Sequence, residues 1–368
     1  CLVFGAMSDV FLTPGNFANL LTQAASVTVI AMGLVFVLLL GEIDLSAGYA
    51  SGVCGAVLVI LITNHGYPWW LAFAISIVVG AILGYAIGTL VSRFGIPSFV
   101  VTLASFLGFQ GILLLLAGEG GTIRIEDPTI LAVQNNNLSP ILSWIFFIAI
   151  SVIYVLIGLA RINSRRKAGL KSELKKLWVI KTTSLLLIGS GAVWALNLER
   201  SNNPKLVSLK GTPLIVPVIL FLLVAGTFVL GRTAYGRHIY AVGGNAEAAR
   251  RAGINVKNIR TSAFVICSSF AAIAGMLFAS RQNSISPTTG GSSTLLYAVG
   301  AAVIGGTSLF GGKGKMRDAV LGGLVVAVID NGMGLLGYAA GIKFIVTGAV
   351  LLISAGVDAI SRRGASSN

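Results

Sequence analysis

Charge is what this sequence has least of. Only 10% of its 368 residues are Asp, Glu, Lys or Arg, and 55% are hydrophobic. Soluble domains average about 25% charged residues. A soluble globule of this size cannot hide so much apolar surface, so the chain reads as a polytopic membrane protein. Acidic residues are the scarcest, 12 against 26 Lys and Arg, for a net charge of +14. In a soluble protein that excess would point to nucleic acid. In a membrane protein it is topogenic charge in cytoplasmic loops, and no nucleic-acid partner is expected. Cysteine is nearly absent. Cys1, Cys54 and Cys267 make neither a disulfide framework nor a metal-ligand spacing. Cys54 and Cys267 lie in apolar runs and read as small core residues. His65 and His238 are isolated, so no metal or cofactor is expected. A phosphate loop is missing too. One ending at Gly312-Lys313 needs Gly at 307 and Ser or Thr at 314, where the chain has Thr307 and Gly314. The chain is therefore not expected to hydrolyse ATP. Alternating short strands are not evident, which argues against a β-barrel.

What is present is a series of apolar runs. Spanning takes about 20 such residues. The candidate spans are 20–40, 46–63, 69–91, 98–117, 141–160, 182–198, 213–230, 261–279, 292–310, 317–337 and 341–360. Gly is abundant at 46 residues, as suits helices that approach closely in lipid. The expected fold is all-α, with about 10–12 transmembrane helices, some of them broken or re-entrant. The chain starts at Cys1 without Met, and a truncated first helix is expected before it.

Lys and Arg set the orientation. If that first helix starts in the cytoplasm and the spans alternate, the inside segments are Arg93, loop 161–181, loop 231–260, turn 311–317 and the tail after Ile360. They hold 20 of the 26 basic residues. The N- and C-termini are then cytoplasmic. Asp9, Glu119, Glu126, Asp127 and Glu199 fall outside. Trp69, Trp70, Trp144, Trp178 and Trp194 lie near span ends, as interfacial anchors do. Loop 161–181 has Glu173 as its only acid. It reads as a topology-setting loop with affinity for anionic membrane lipid, or as a regulatory site. Stretch 118–140 is the longest outside segment. It either faces a partner or is a long loop.

Tyr235–Arg260 is a polar island. Asn245 can cap a short helix over Ala246–Ala252, and Gly253 can end it left-handed. About 10 Å long, that helix cannot stand alone, so something must hold it. It is either a capped loop or a docking helix offered to a cytoplasmic partner.

Two Gly-interrupted segments, Gly41–Gly48 and Gly305–Gly312, recur upstream of the similar runs Gly95–Thr102 and Gly341–Thr347. Paired breaks in two halves form a weak pseudo-repeat and point to a transport path. Path candidates are Glu42, Asp44, Ser46, Ser98, Thr102, Gln110, Thr307, Ser308 and Asn331, with Asp330 beside the last. Asp44 or Ser46 is equally a helix cap, and interhelical hydrogen bonding is the plainer role for the neutral ones.

The run Gly244–Val256 resembles the Glu-Ala-Ala-x-x-x-Gly loop of bacterial ABC importer permeases, through Glu247-Ala248-Ala249 and Gly253. Ile43–Ser46 with Gly48, Ile96–Leu103, Gly305–Leu309 with Gly311-Gly312, and Asn331-Gly332 resemble the ribose/xylose/arabinose branch. The extra apolar spans around 141–198 are similar to the xylose-type permeases. The resemblance implies one permease domain over 1–368 that acts as a homodimer in the bacterial inner membrane. It implies a separate cytoplasmic ATPase, carrying the ATP and Mg, docked on Asn245, Glu247, Ala248, Ala249, Arg250, Arg251 and Gly253. A periplasmic or lipid-anchored sugar-binding protein would dock outside. The alternatives are an ion-coupled secondary transporter and a branched-chain amino acid permease.

Overall fold

Every apolar stretch of span length becomes a helix. The computed structural model describes residues 1–118, 121–169, 175–201, 203–205 and 208–366, with backbone alone for 165, 166, 175, 176 and 357–366. Glu119, Lys171 and Glu173 lie outside the described residues. The elements run α1 (Leu2–Met7), α2 (Pro14–Leu38), α3 (Ala47–Thr63), α4 (Trp69–Ser92), α5 (Ser98–Ala117), β1 (Ile123–Arg124), α6 (Pro128–Asn135), α7 (Pro140–Lys167) and α8 (Lys175–Asn197). They continue with α9 (Ile215–Arg232), α10 (Ala234–Gly244), α11 (Ala246–Arg251), α12 (Val256–Gln282), β2 (Ser284–Ile285), α13 (Ser292–Ile304), α14 (Met316–Leu335) and α15 (Ala340–Ser366). Among the described residues eight helices are long and apolar enough to cross a membrane; α3, α13 and the apolar part of α15 are shorter. The fold is all-α and polytopic.

Contacts divide the chain into two compact units, 1–11 with 20–135 and 215–368, and 12–19 with 136–214. In the first, α2 is its most enclosed helix, with every residue from Val29 to Leu40 inside except Gly33 counted among the apolar core. A helix apolar and buried all round is a central one. α12 lies along α4 and α3, and small residues set how close. Ala72, Ser76, Gly80, Gly84, Gly88 and Ser92 recur every fourth residue on α4, and all are buried. A Cβ on Gly80 would come within 2.6 Å of the Ser268 carbonyl, and one on Gly88 within 2.7 Å of Thr261 Cα. Backbones this close replace the hydrophobic drive that lipid cannot supply between helices. Side-chain hydrogen bonds close the same seam: Ser92 and Thr261 hydroxyls at 2.7 Å, and Ser76 Oγ donating to the Cys54 carbonyl at 2.8 Å.

Three expectations need correcting. Within stretch 118–140, residues 121–140 hold a strand and a capped helix rather than a long loop. Asp127 caps α6 through the backbone N–H groups of Thr129 and Ile130 (2.9 and 3.0 Å), and Asn135 Nδ2 donates to the Ser280 carbonyl at 2.8 Å. β1 pairs antiparallel with β2. Loop 161–181 is mostly helix, because α7 continues to Lys167 and α8 starts at Lys175. Lys and Arg are good helix formers, so charge alone does not end a helix. Lastly, two helices (α3, α4) separate the break at 41–46 from Gly95–Thr102. Only α14 separates the break at 305–315 from Gly341–Thr347. The repeat is of local motifs, not of matching halves.

In the second unit α7 and α8 run antiparallel. The Trp178 ring lies over Gly158 and the Phe147 ring over Gly189, each 2.6 Å from a built Cβ. Beyond α8, Glu199 organises its loop by accepting from Leu209 N (2.9 Å), Ser208 Oγ (2.7 Å), Ser201 N and Arg200 N (both 3.1 Å). The Ser208 and Leu209 bonds lead in holding its carboxyl far below the usual 4.5, at about 2. A carboxylate with a lowered native pKa stabilises above its unfolded pKa and loses that contribution as pH falls through the native one. The hold of Glu199 on Ser201, Ser208 and Leu209 should therefore loosen between about pH 4.5 and 2, read by the protection of the Ser201 and Leu209 amides against exchange. Glu199→Gln should loosen it already at pH 7. Amide protection, relative to free exchange, that stays constant over that range in the wild type would remove Glu199 from this role.

Candidate functional site

The polar island folds as α10, α11 and the start of α12, not as one helix in a loop. Thr233 Oγ1 accepts Gly236 N at 3.1 Å and starts α10, whose Gly236, Ile239 and Val242 face inward. Asn245 then ends α10 in extended conformation, and its Oδ1 accepts Ala248 N at 2.9 Å to start α11. Gly253, at φ +85°, ends α11. Gly253 N donates to the Arg250 carbonyl and Ile254 N to the Ala249 carbonyl, both at 3.0 Å, which is a Schellman closure. The register of α11 follows. Ala249 is 5% exposed and packs into the core, while Glu247, Ala248, Arg250 and Arg251 face out. Glu247 pairs with Arg250 at 2.9 Å and Arg251 at 3.5 Å. Such exposed pairs contribute about 0–1 kcal/mol. Of the expected docking residues, Ala249 is turned inward.

α10 is held where the two broken segments meet. Leu39 and Gly41, after α2, abut Gly311 and Gly312, before α14. Gly312 N donates to the Leu39 carbonyl at 2.8 Å. Gly243 of α10 sits on the same carbonyl and 2.9 Å from Gly312 N, measured from its built Cβ. Tyr240 Oη donates to the Gly314 carbonyl at 2.7 Å. The breaks at 39–46 and 305–315 and the C-terminal end of α10 are thus one backbone-to-backbone junction. Gly311 and Gly312 sit at φ +82° and +73°, which a glycine takes without strain.

Most path candidates belong to this junction. Asp44 and Ser46 are fully buried. Asp44 Oδ1 accepts Ser46 N at 2.9 Å and Ser46 Oγ at 2.6 Å, which fixes the N-cap residue Ser46, and Ser46 itself makes no side-chain cap bond. Cys267 of α12 adjoins that carboxylate. Ser98 Oγ accepts Ile43 N at 3.3 Å, and Thr102 Oγ1 donates to the Ile43 carbonyl at 3.2 Å, tying the first break to α5. Glu42 pairs with Arg260 of α12 at 3.2 Å. In the second break, Asp318 Oδ2 accepts Lys315 N at 2.7 Å and Thr307 Oγ1 at 3.4 Å, and Ser308 N donates to the Lys313 carbonyl at 2.8 Å. Gln110 lies apart, beside the Tyr49 hydroxyl. Asn331 lies apart as well, with Nδ2 donating to Gln23 Oε1 at 3.2 Å.

Sequence reasoning did not single out Tyr240, Gly243 or Arg260. The spacing of Tyr235, Ile239 and Val242 carried a signal for α10. Nothing local pointed to Arg260, whose partner is far away in the chain. Among the described residues no group of three or more His, Cys, Asp or Glu could hold a metal ion.

A family model described as "Branched-chain amino acid transport system / permease component" matches residues 16–355. The xylose transport system permease protein XylH of Escherichia coli (strain K12) is 37% identical over 355 residues, covering 96% of this chain and 87% of that protein. XylH of Haemophilus influenzae is 34% identical over 359 residues, covering 97% and 92%. The ribose import permease protein RbsC of Escherichia coli (strain K12) is 27% identical over 360 residues, covering 97% and 89%. No solved structure matches. With the match running through both breaks, α10 and α11, the chain belongs to this family of transport-system permease components.

Proposed function

We propose that the whole chain is the membrane permease of an ATP-driven importer for a monosaccharide, a pentose such as xylose, ribose or arabinose, in the bacterial inner membrane. The observation that carries this is 37% identity to a xylose permease over 96% of the chain. The amino acid reading in the family's description gives way to those near-full-length sugar relatives. ATP and Mg belong to a separate cytoplasmic ATPase, which docks on the outward face of α11: Glu247, Ala248, Arg250 and Arg251, held by Asn245 and Gly253. Ala249 anchors that face to the junction behind it. Movement of α11 then passes through Gly243 and Tyr240 to both breaks. In this orientation the junction is cytoplasmic, and β1, α6 and β2 face the periplasm, where the sugar-binding protein docks. A second permease copy completes a homodimer, and membrane lipid surrounds α7 and α8.

Two of the carboxylates an ion-coupled carrier would need are in ion pairs, Glu42 with Arg260 and Asp330 with Lys343, while Asp44 bonds Ser46 through Oδ1 and its buried Oδ2 has no hydrogen-bond partner. The test is uptake of labelled xylose, ribose and arabinose into proteoliposomes holding the permease, its ATPase and its binding protein. Uptake of one of them should require ATP and survive an ionophore. Uptake that continues without ATP and collapses with the ionophore would defeat the proposal.

A further inference from the structure

Of the eight spanning helices α7 is the least enclosed and α8 the next. Between them, within the second unit, lies an open groove of about 350 Å³. Its wall is mainly apolar, with Phe147, Ile148 and Val152 on α7 and Leu186 and Leu187 on α8, and Thr183 stands exposed at its edge. The two ring-on-glycine contacts fix the register of the hairpin. Phe147 is level with Gly189 and Gly158 with Trp178, so Arg161 is level with the start of α8 at Lys175. That end is strongly basic. Arg161, Arg165, Arg166 and Lys167 close α7, and Lys175 and Lys176 open α8. Neither helix contains an Asp or Glu to neutralise them. Ser151, in the groove, lies ten residues before Arg161, about 15 Å along α7. Half of the roughly 30 Å hydrocarbon core is the same length, which is the reach of one acyl chain. At 3.6 residues per turn, the row Ile148, Val152, Val155, Leu159 runs on along α7 to Arg166. The row Leu187, Thr183, Ile180 runs along α8 to Lys176. Arg161 and Lys181 fall off those rows.

We propose that the α7–α8 hairpin is a binding site for one anionic phospholipid. An acyl chain fills the groove, and the phosphate sits where the two rows end in Arg166 and Lys176. Clustered Lys and Arg just beyond a membrane helix attract anionic headgroups. A zwitterionic headgroup brings a cation of its own and gains less here. A second copy of the hairpin would bring the same uncompensated cations to the groove, so lipid is the better occupant. In the proposed orientation this end is cytoplasmic, and the lipid comes from the inner leaflet. The site uses no residue of α11 or of the junction, so it stands or falls apart from the importer reading.

The test is native mass spectrometry of the full permease in detergent, titrated with defined lipids. Dioleoyl phosphatidylglycerol should bind at one site at least tenfold more tightly than dioleoyl phosphatidylcholine. Glycerol 3-phosphate, a phosphate without acyl chains, should not displace it. Thr183→Phe fills the groove from an exposed position and should weaken phosphatidylglycerol binding at least fivefold. The double variant Arg166→Gln/Lys176→Gln should do the same. Lys181→Gln, which removes a charge off the rows, should stay within twofold of wild type. Melting temperatures of the lipid-free variants within a few degrees of wild type separate these losses from misfolding. Equal affinity for phosphatidylcholine, or displacement by glycerol 3-phosphate, overturns the anionic phospholipid. Wild-type binding in Thr183→Phe and in the double variant overturns the site. Equal losses in Lys181→Gln and the double variant overturn it too, leaving only diffuse charge. A lower dimer fraction in Thr183→Phe with unchanged lipid binding gives the groove to a second copy instead.

Discussion

Gly243→Ala should lower ATP-driven uptake at least tenfold, while Gly244→Ala next to it should leave uptake within twofold. Both glycines lie in α10, and neither has positive φ. On helix propensity alone, each substitution would stabilise by up to about 1 kcal/mol. Their surroundings differ. Nothing lies within 4 Å of a Cβ built on Gly244, whereas one on Gly243 overlaps the Leu39 carbonyl oxygen and lies 2.9 Å from Gly312 N. Both neighbours are backbone, which cannot swing aside as a side chain can. Overpacking typically costs about 1–3 kcal/mol, which exceeds the propensity gain. Relief comes only from moving α10 off the junction, and that breaks the link from α11 to the two broken segments. Melting temperatures should fall for Gly243→Ala and hold or rise for Gly244→Ala. Wild-type uptake and stability in Gly243→Ala would mean that the junction has slack and transmits nothing.

Replacing Arg260 by Ala, or Glu42 by Gln, should each cut uptake several-fold and destabilise by about 2 kcal/mol. The side chains are 32% and 14% exposed, between a surface pair worth about 0–1 kcal/mol and a buried one whose breaking costs about 3–5. The pair joins the break at 41–46 to the N-terminal turns of α12, just after α11. Losing one partner leaves the other charge half-buried and alone. The double variant Glu42→Gln/Arg260→Ala should lose less than the two singles added together. A cycle over the four proteins reads the interaction directly. Strict additivity would show that the two side chains are neighbours without being partners.

Local chemistry was legible in the sequence. Asn245 and Gly253 bound α11 because a cap and a left-handed end are decided within a few residues. The apolar runs became helices because length and hydropathy suffice for that. What stayed hidden was decided across distance. α10 was read as loop because Arg237, His238 and Gly243-Gly244 masked the stripe of Gly236, Ile239 and Val242. The face of α11 that Ala249 buries is set by packing into the core and not by its own six residues. The path candidates looked alike, as polar groups in apolar runs. Only folding sorts them, most to the junction and Asn331 to the opposite end of α14.

The junction is made by the main chain of Leu39, Gly243 and Gly312. Main-chain atoms are the same in every protein, so this contact asks only that positions 243, 311 and 312 stay glycine. Side chains elsewhere on α2, α10 and α14 can therefore change without disturbing it.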